Sequence, residues 1–224
     1  MAINISLPVG QRRLKAALWM ASADPQLPRV HADEVVPLDP APRIVEPRGV
    51  SGNVSFYELY VLNCAARACN PRYLFEIGTF DGRTLLNLVA NCPMLERAYS
   101  LDLPRAAIDS TALPIHRHDR SFIDKPRSGE RIFRPEYADL KARIELLSGD
   151  SATFDYAPYA GRMDLVFVDG SHEYEYVLND SRRALDLLGA VIRQFREHMS
   201  AGGARGWAAR RLSDLFAAGW HRSA

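Results

Sequence analysis

The chain has 224 residues, with 28 Lys+Arg against 27 Asp+Glu, 47% hydrophobic residues and 25% charged residues. That composition is ordinary for a globular chain and excludes a disordered protein, a collagen and a long coiled coil. A net charge of +1 gives no whole-molecule attraction to nucleic acid or an anionic membrane, and no stretch reaches the roughly 18 apolar residues of a membrane span.

In chain order, Arg12, Arg13 and Lys15 precede AALWMASA. The apolar run is short for a signal peptide, so a surface amphipathic helix over about 11–22 is the expected reading. Residues 23–50 hold Pro25, Pro28, Pro37, Pro40, Pro42 and Pro47. Proline fixes φ and removes a donor, which predicts an extended arm with no helix or central strand. The expected division is therefore a leading helix and arm over 1–50 and a main body over 51–224. The body opens on a helix. Ser55 and Glu58 fit a capping box, and Phe56, Leu59, Tyr60, Leu62 and Ala66 follow helical spacing.

YLFEIG from Tyr73 is a nearly continuous apolar run, as in a strand buried on both faces. RTLLNLVAN then reads as a helix. AYSLDL (98–103), RIELLSGD (143–150) and MDLVFVDG (163–170) read as further strands. EYEYVLNDSRRALDLL (173–188) reads as an amphipathic helix, and AVIRQF (190–195) as a fifth strand. This alternation predicts an α/β fold with a doubly wound, mostly parallel sheet. Residues 104–135 interrupt it with seven Lys or Arg and little periodicity. They form either a solvated insertion or a lid over a pocket. Cys64, Cys69 and Cys92 lack C-x-x-C spacing and read as core or loop thiols of a reducing compartment.

Four clusters sit where a doubly wound sheet binds ligands, beyond the carboxyl ends of its strands. Glu76-Ile-Gly78-Thr79-Phe80-Asp-Gly82 has two glycines four apart, which is not G-x-G-x-x-G and argues against a plain dinucleotide fingerprint. Asp102 ends the second strand, where a carboxylate can accept from both hydroxyls of a ribose or can cap the following turn. Asp150 and Ser151 follow the third strand and face an exocyclic adenine amine, unless Asp150 only caps a short helix. Asp169-Gly-Ser-His172 follows the most apolar strand. There Asp169 can bind a metal or orient a ligand ammonium, and His172 can act as general base. Both can equally be loop residues capping the next helix.

FEIGTFDGRTLLNLV, YSLDLP, LLSGDSATFD and DLVFVDGSHEYEYVLNDSRRAL, in this order, resemble the class I S-adenosylmethionine-dependent methyltransferases. The likeness covers about 51–195 and is greatest to small-molecule O-methyltransferases of bacterial secondary metabolism, of the macrocin type. It implies a Rossmann-like fold and S-adenosyl-L-methionine as cofactor, with S-adenosyl-L-homocysteine as product. Glu76, Gly78, Thr79, Phe80 and Gly82 would meet the methionine part. Asp102 and Leu103 would meet the ribose side, and Asp150 and Ser151 the adenine. Asp169 and His172 would stand where cofactor and acceptor meet, and the region of Asn53 and Ser55 resembles the helix that closes over the cofactor.

Two departures stand out. Metal-dependent relatives carry two acids after the fifth strand, whereas this chain has Val191-Ile-Arg193-Gln-Phe195. A divalent cation needs several oxygen ligands, so no metal site is expected. After SAGGARGWAARR and a helix to about 218, only GWHRSA remains, so the family's C-terminal hairpin is expected to be reduced or missing. The exposed sheet edge would then be covered by the arm or by a homodimer partner. The expected activity is methyl transfer to a small-molecule hydroxyl in the cytoplasm, with no nucleic-acid or membrane partner. The alternatives are a cofactor-binding protein without turnover, and a nucleic-acid methyltransferase, for which the basic residues of 105–134 and 193–222 speak.

Overall fold

The computed structural model describes residues 31–115 and 117–188. The expected helix over 11–22, the start of the arm, the strand over 190–195 and the C-terminal segment lie outside the described residues. So does the arginine that argued against a metal.

Among the described residues, four strands form the sheet: β1 (Tyr73–Ile77), β2 (Arg97–Asp102), β3 (Ile144–Ser148) and β4 (Leu165–Val168). All pairs are parallel and the order is β3-β2-β1-β4. The register aligns Ile77 with Leu101 and Val168, and Asp102 with Ser148. The residues that follow each strand therefore emerge along one rim. Chain order reverses between β1 and β4, which is the switch point where such sheets open a crevice.

The strands are apolar on both faces because both faces are covered. Along β1 the side chains alternate: Leu74 joins a core with Leu85, Leu86, Leu88 and Val89, and Phe75 and Ile77 join a second core with Leu101, Tyr156, Met163 and Leu187. After the one-turn helix α1 (Ala32–Val35), which buries no residue, the first core is supplied by α2 (Phe56–Cys69) and α3 (Arg83–Ala90). On the second side lies α6 (Tyr174–Leu187), after α4 (Arg117–Ile123) and α5 (Ala138–Lys141) within and behind the insertion. Each fully buried Leu contributes about 1.5–3 kcal/mol, so α3, with four such apolar residues at 1% exposure or less, anchors the sheet.

The capping box forms as expected at the start of α2: Glu58 N–H donates to Ser55 Oγ at 3.2 Å, and Ser55 N–H to Glu58 Oε2 at 2.7 Å. Leu59 and Ala66 are buried, but Phe56 is 54% exposed and takes no part in the core. The arm departs from expectation in one place, because the one-turn helix α1 fits between Pro28 and Pro37, where no proline interrupts it. The rest of the described arm is irregular and lies on α3. Asn91 bonds both backbone groups of Arg43, at 2.9 and 2.7 Å. Asn87 accepts from Val45 N–H at 2.9 Å and donates to Glu46 O at 3.1 Å. Arg83 donates to the carbonyls of Glu46, Pro47 and Val54. These contacts explain why α3 is buried on every side. The three cysteines are free thiols.

Candidate active site

At the switch point, Gly78 takes a φ of +99°, and a Cβ there would lie 2.1 Å from the Asp169 carbonyl oxygen. No other residue fits where β1 and β4 deliver their chains so close together. The next turn brings Phe80 into the left-handed region, at φ 47°. Its ring meets Phe122 of α4 edge-on at 5.7 Å. Gly82 is needed for a different reason: a Cβ there would strike Ile132 at 2.7 Å, so it serves packing against 129–132.

The rim encloses a cavity of about 110 Å³. Gly78, Phe80, Asp102, Leu103, Asp150, Ser151, Asp169 and His172 all line it, together with Gly52 from the turn before α2. Glu76, Thr79 and Gly82 lie behind the lining. Glu76 is 1% exposed. Its carboxylate accepts from Ser100 Oγ, which also meets Thr79 Oγ1 at 2.6 Å. Burial pushes the Glu76 carboxyl well above its ordinary value, against the pull of the Ser100 hydrogen bond and helped by the charges of Asp169, Asp102 and Asp81.

The insertion roofs this cavity with Ile115, Asp119, Phe122, Ile123 and Lys125. Lys125 Nζ lies 2.9 Å from Asp102 Oδ2, with both side chains under 15% exposed. Oδ2 is buried against this ammonium and makes no other contact. Asp102 stands in the cavity lining, and the apolar Ile77, Leu101 and Leu103 beside it offer a face for a flat ring. A nucleoside fits this donor and acceptor set.

Asp150 serves the protein on both oxygens. Oδ2 accepts from Ala112 N–H at 2.7 Å, and Oδ1 from Tyr176 Oη–H and Ala152 N–H at 2.9 Å each. No helix directly follows Asp150, so its bond to Ala152 N–H closes a turn at the cavity edge. Burial, then the Asp150 hydrogen bond and charge, push the Tyr176 phenol up to about 12. Burial raises the Asp169 carboxyl; the neighbouring His172 pulls it down and Glu58 raises it further. Asp119 is 6% exposed and takes three donors from one loop: Ser171 Oγ–H at 2.8 Å, His172 N–H at 3.0 Å, and His172 Nδ1 at 3.1 Å. Burial alone would raise its carboxyl, but these hydrogen bonds and the nearness of His172 hold it below the ordinary range. Neither Asp119 nor Tyr176 was marked in the sequence. Asp119 lies 53 residues before His172, and no spacing rule connects them. Among the described residues, no group of three or more His, Cys, Asp or Glu is placed to hold a metal ion.

A sequence model of the family described as a methyltransferase domain matches residues 75–190, which span β1 to the end of α6 and all four rim clusters. The chain belongs to the methyltransferase domain family. Among solved structures, this methyltransferase is similar to the O-methyltransferase from Bacillus cereus in complex with SAH, at 19% identity and a TM-score of 0.43, over 75% of this chain and 72% of that one. It is also similar to the O-methyltransferase TomG from Streptomyces achromogenes, involved in tomaymycin synthesis and in complex with SAM, at 18% identity and a TM-score of 0.44, over 95% and 88% of the two chains. The SAH-bound methyltransferase PaMTH1 of Podospora anserina gives 16% identity and a TM-score of 0.44, over 100% and 91%. No curated protein sequence matches. Among the described residues, no helix of this methyltransferase is long and apolar enough to cross a membrane.

Proposed function

We propose that this methyltransferase binds S-adenosylmethionine in the rim cavity and transfers its methyl group to a hydroxyl of a small-molecule acceptor. The observation that supports this most is Asp102, which stands in the cavity lining at the tip of β2, beside the switch point. Asp102 accepts from the ribose hydroxyls, with Leu103 alongside. Asp150 and Ser151 border the adenine. Gly78 and Phe80 meet the methionine part, while Glu76, Thr79 and Gly82 shape their turn from behind. The bound cofactor supplies an electrophilic methyl on a sulfonium sulfur.

Asp169 and His172 hold the acceptor side. His172 takes the hydroxyl proton, and the freed oxygen pair forms the new bond to carbon as the carbon–sulfur pair returns to sulfur. Orientation of the two reactants carries most of the acceleration, and the base contributes about 100-fold or more. The reading includes a cytoplasmic location and a low-mass acceptor, with the arm and body as separate units of the chain.

The test is release of S-adenosylhomocysteine from S-adenosylmethionine in the presence of catechol or methyl glucoside, an aromatic and an aliphatic hydroxyl. Release dependent on one of them, and lost in His172→Gln with S-adenosylhomocysteine affinity retained, is expected. Transfer confined to amine or thiol acceptors would contradict the hydroxyl assignment.

A further inference from the structure

The base assigned to His172 raises a question its own loop does not answer. An imidazole accepts a proton at one nitrogen only if the other carries the hydrogen. His172 is 75% exposed in its side chain, so solvent alone would leave both tautomers populated. The partner that decides between them comes from the insertion.

Asp119 sits on α4, 6% exposed, against the loop after β4. Its Oδ2 is committed to His172 N–H and Ser171 Oγ–H. Ser171 Oγ also accepts from Glu173 N–H at 3.2 Å, so its own hydrogen points at Asp119. The carboxylate is thereby fixed, and its Oδ1 faces His172 Nδ1 at 3.1 Å. An ionised carboxylate offers no hydrogen. The contact is a hydrogen bond only when Nδ1 carries the proton.

We propose that Asp119 is a positioning residue: it holds His172, which lines the cavity, in the Nδ1–H tautomer and leaves the lone pair on Nε2. The inference rests on the reading of His172 as base. When Nε2 takes the acceptor's proton, the positive ring stays paired with Asp119. Because Asp119 belongs to the roof and His172 to the rim, the packing that closes the cavity is the same contact that orients the base.

The experiment is long-range proton–nitrogen spectroscopy of the full chain saturated with S-adenosylhomocysteine at about pH 8, where an unperturbed imidazole is neutral. The His172 signal is assigned by its absence in His172→Gln. The wild type is expected to show Nδ1–H. In Asp119→Asn the amide oxygen stays with His172 N–H and Ser171, and the amide nitrogen donates to Nδ1, which moves the proton to Nε2. Transfer to the hydroxyl acceptor should fall about 100-fold, while S-adenosylhomocysteine affinity stays within about twofold. An Nε2–H tautomer in the wild type overturns the inference without any variant. A tautomer unmoved by Asp119→Asn, with His172→Gln inactive, overturns the inference alone. Full turnover in His172→Gln overturns the base reading itself.

Discussion

Glu76 and Asp102 end neighbouring strands, and their surroundings give them opposite tasks. Glu76 is closed off behind Ser100 and Thr79, and burial raises its carboxyl far above the ordinary value. The folded state then keeps a proton that the unfolded chain releases near pH 4.5. Its contribution to stability is full below that pH and is lost as pH rises toward the folded value. Glu76→Gln is neutral in both states and can still accept from Ser100. Thermal unfolding midpoints of variant and wild type should therefore diverge in the variant's favour as pH rises above about 4.5. A difference that stays constant with pH would show that Glu76 is ionised in the fold. Asp102 pairs with Lys125 and lines the cavity, which suits it to a ligand. The acids at strand ends were legible in the sequence because each follows a short apolar run. Asp119 was not, since its meaning arises only when α4 meets the loop after β4.

At the level of elements, α3 is the part most dependent on a neighbour. Arg83 is 1% exposed and donates to three carbonyls, of Glu46 at 3.2 Å, Pro47 at 3.0 Å and Val54 at 2.8 Å. Arg131 adds ion pairs to Glu46 at 3.2 Å and to Asp81 at 2.8 Å. Arg83→Met keeps the aliphatic length but takes the donor from the Pro47 and Val54 carbonyls, while Glu46 O keeps Asn87. Each buried unsatisfied group costs about 1–3 kcal/mol, so a loss of roughly 3 kcal/mol is expected. Limited proteolysis should then cut within 46–54, ahead of any cut in the sheet. Unchanged stability would mean that Asn87, Asn91 and Arg131 hold the arm without Arg83. The sequence disclosed α3 through its Leu and Val spacing. It did not disclose the docking of the arm, because Asn87 and Asn91 read as ordinary helix-surface residues until their backbone partners are known. The insertion hid α4 for a related reason: RHDRSFI has no apolar repeat, and its only inward apolar residues, Phe122 and Ile123, meet the cavity and not the core.

For the molecule as a whole, four parallel strands, one reversal of order and a roof of inserted chain converge on one rim. The strand positions followed from apolar runs covered on both faces, so the sheet was the most readable part. The central claim is that this rim takes the nucleoside of S-adenosylmethionine through Asp102. The direct measurement is calorimetric titration of wild type and Asp102→Asn with S-adenosylhomocysteine, with NAD as control. Asn keeps a carbonyl for Lys125 but has lost the anion that ribose hydroxyls prefer. The account predicts micromolar binding to the wild type, no binding of NAD, and at least about tenfold weaker binding to Asp102→Asn, equivalent to roughly 1.4 kcal/mol. Equal affinity in the two proteins, or no binding to the wild type, would contradict it.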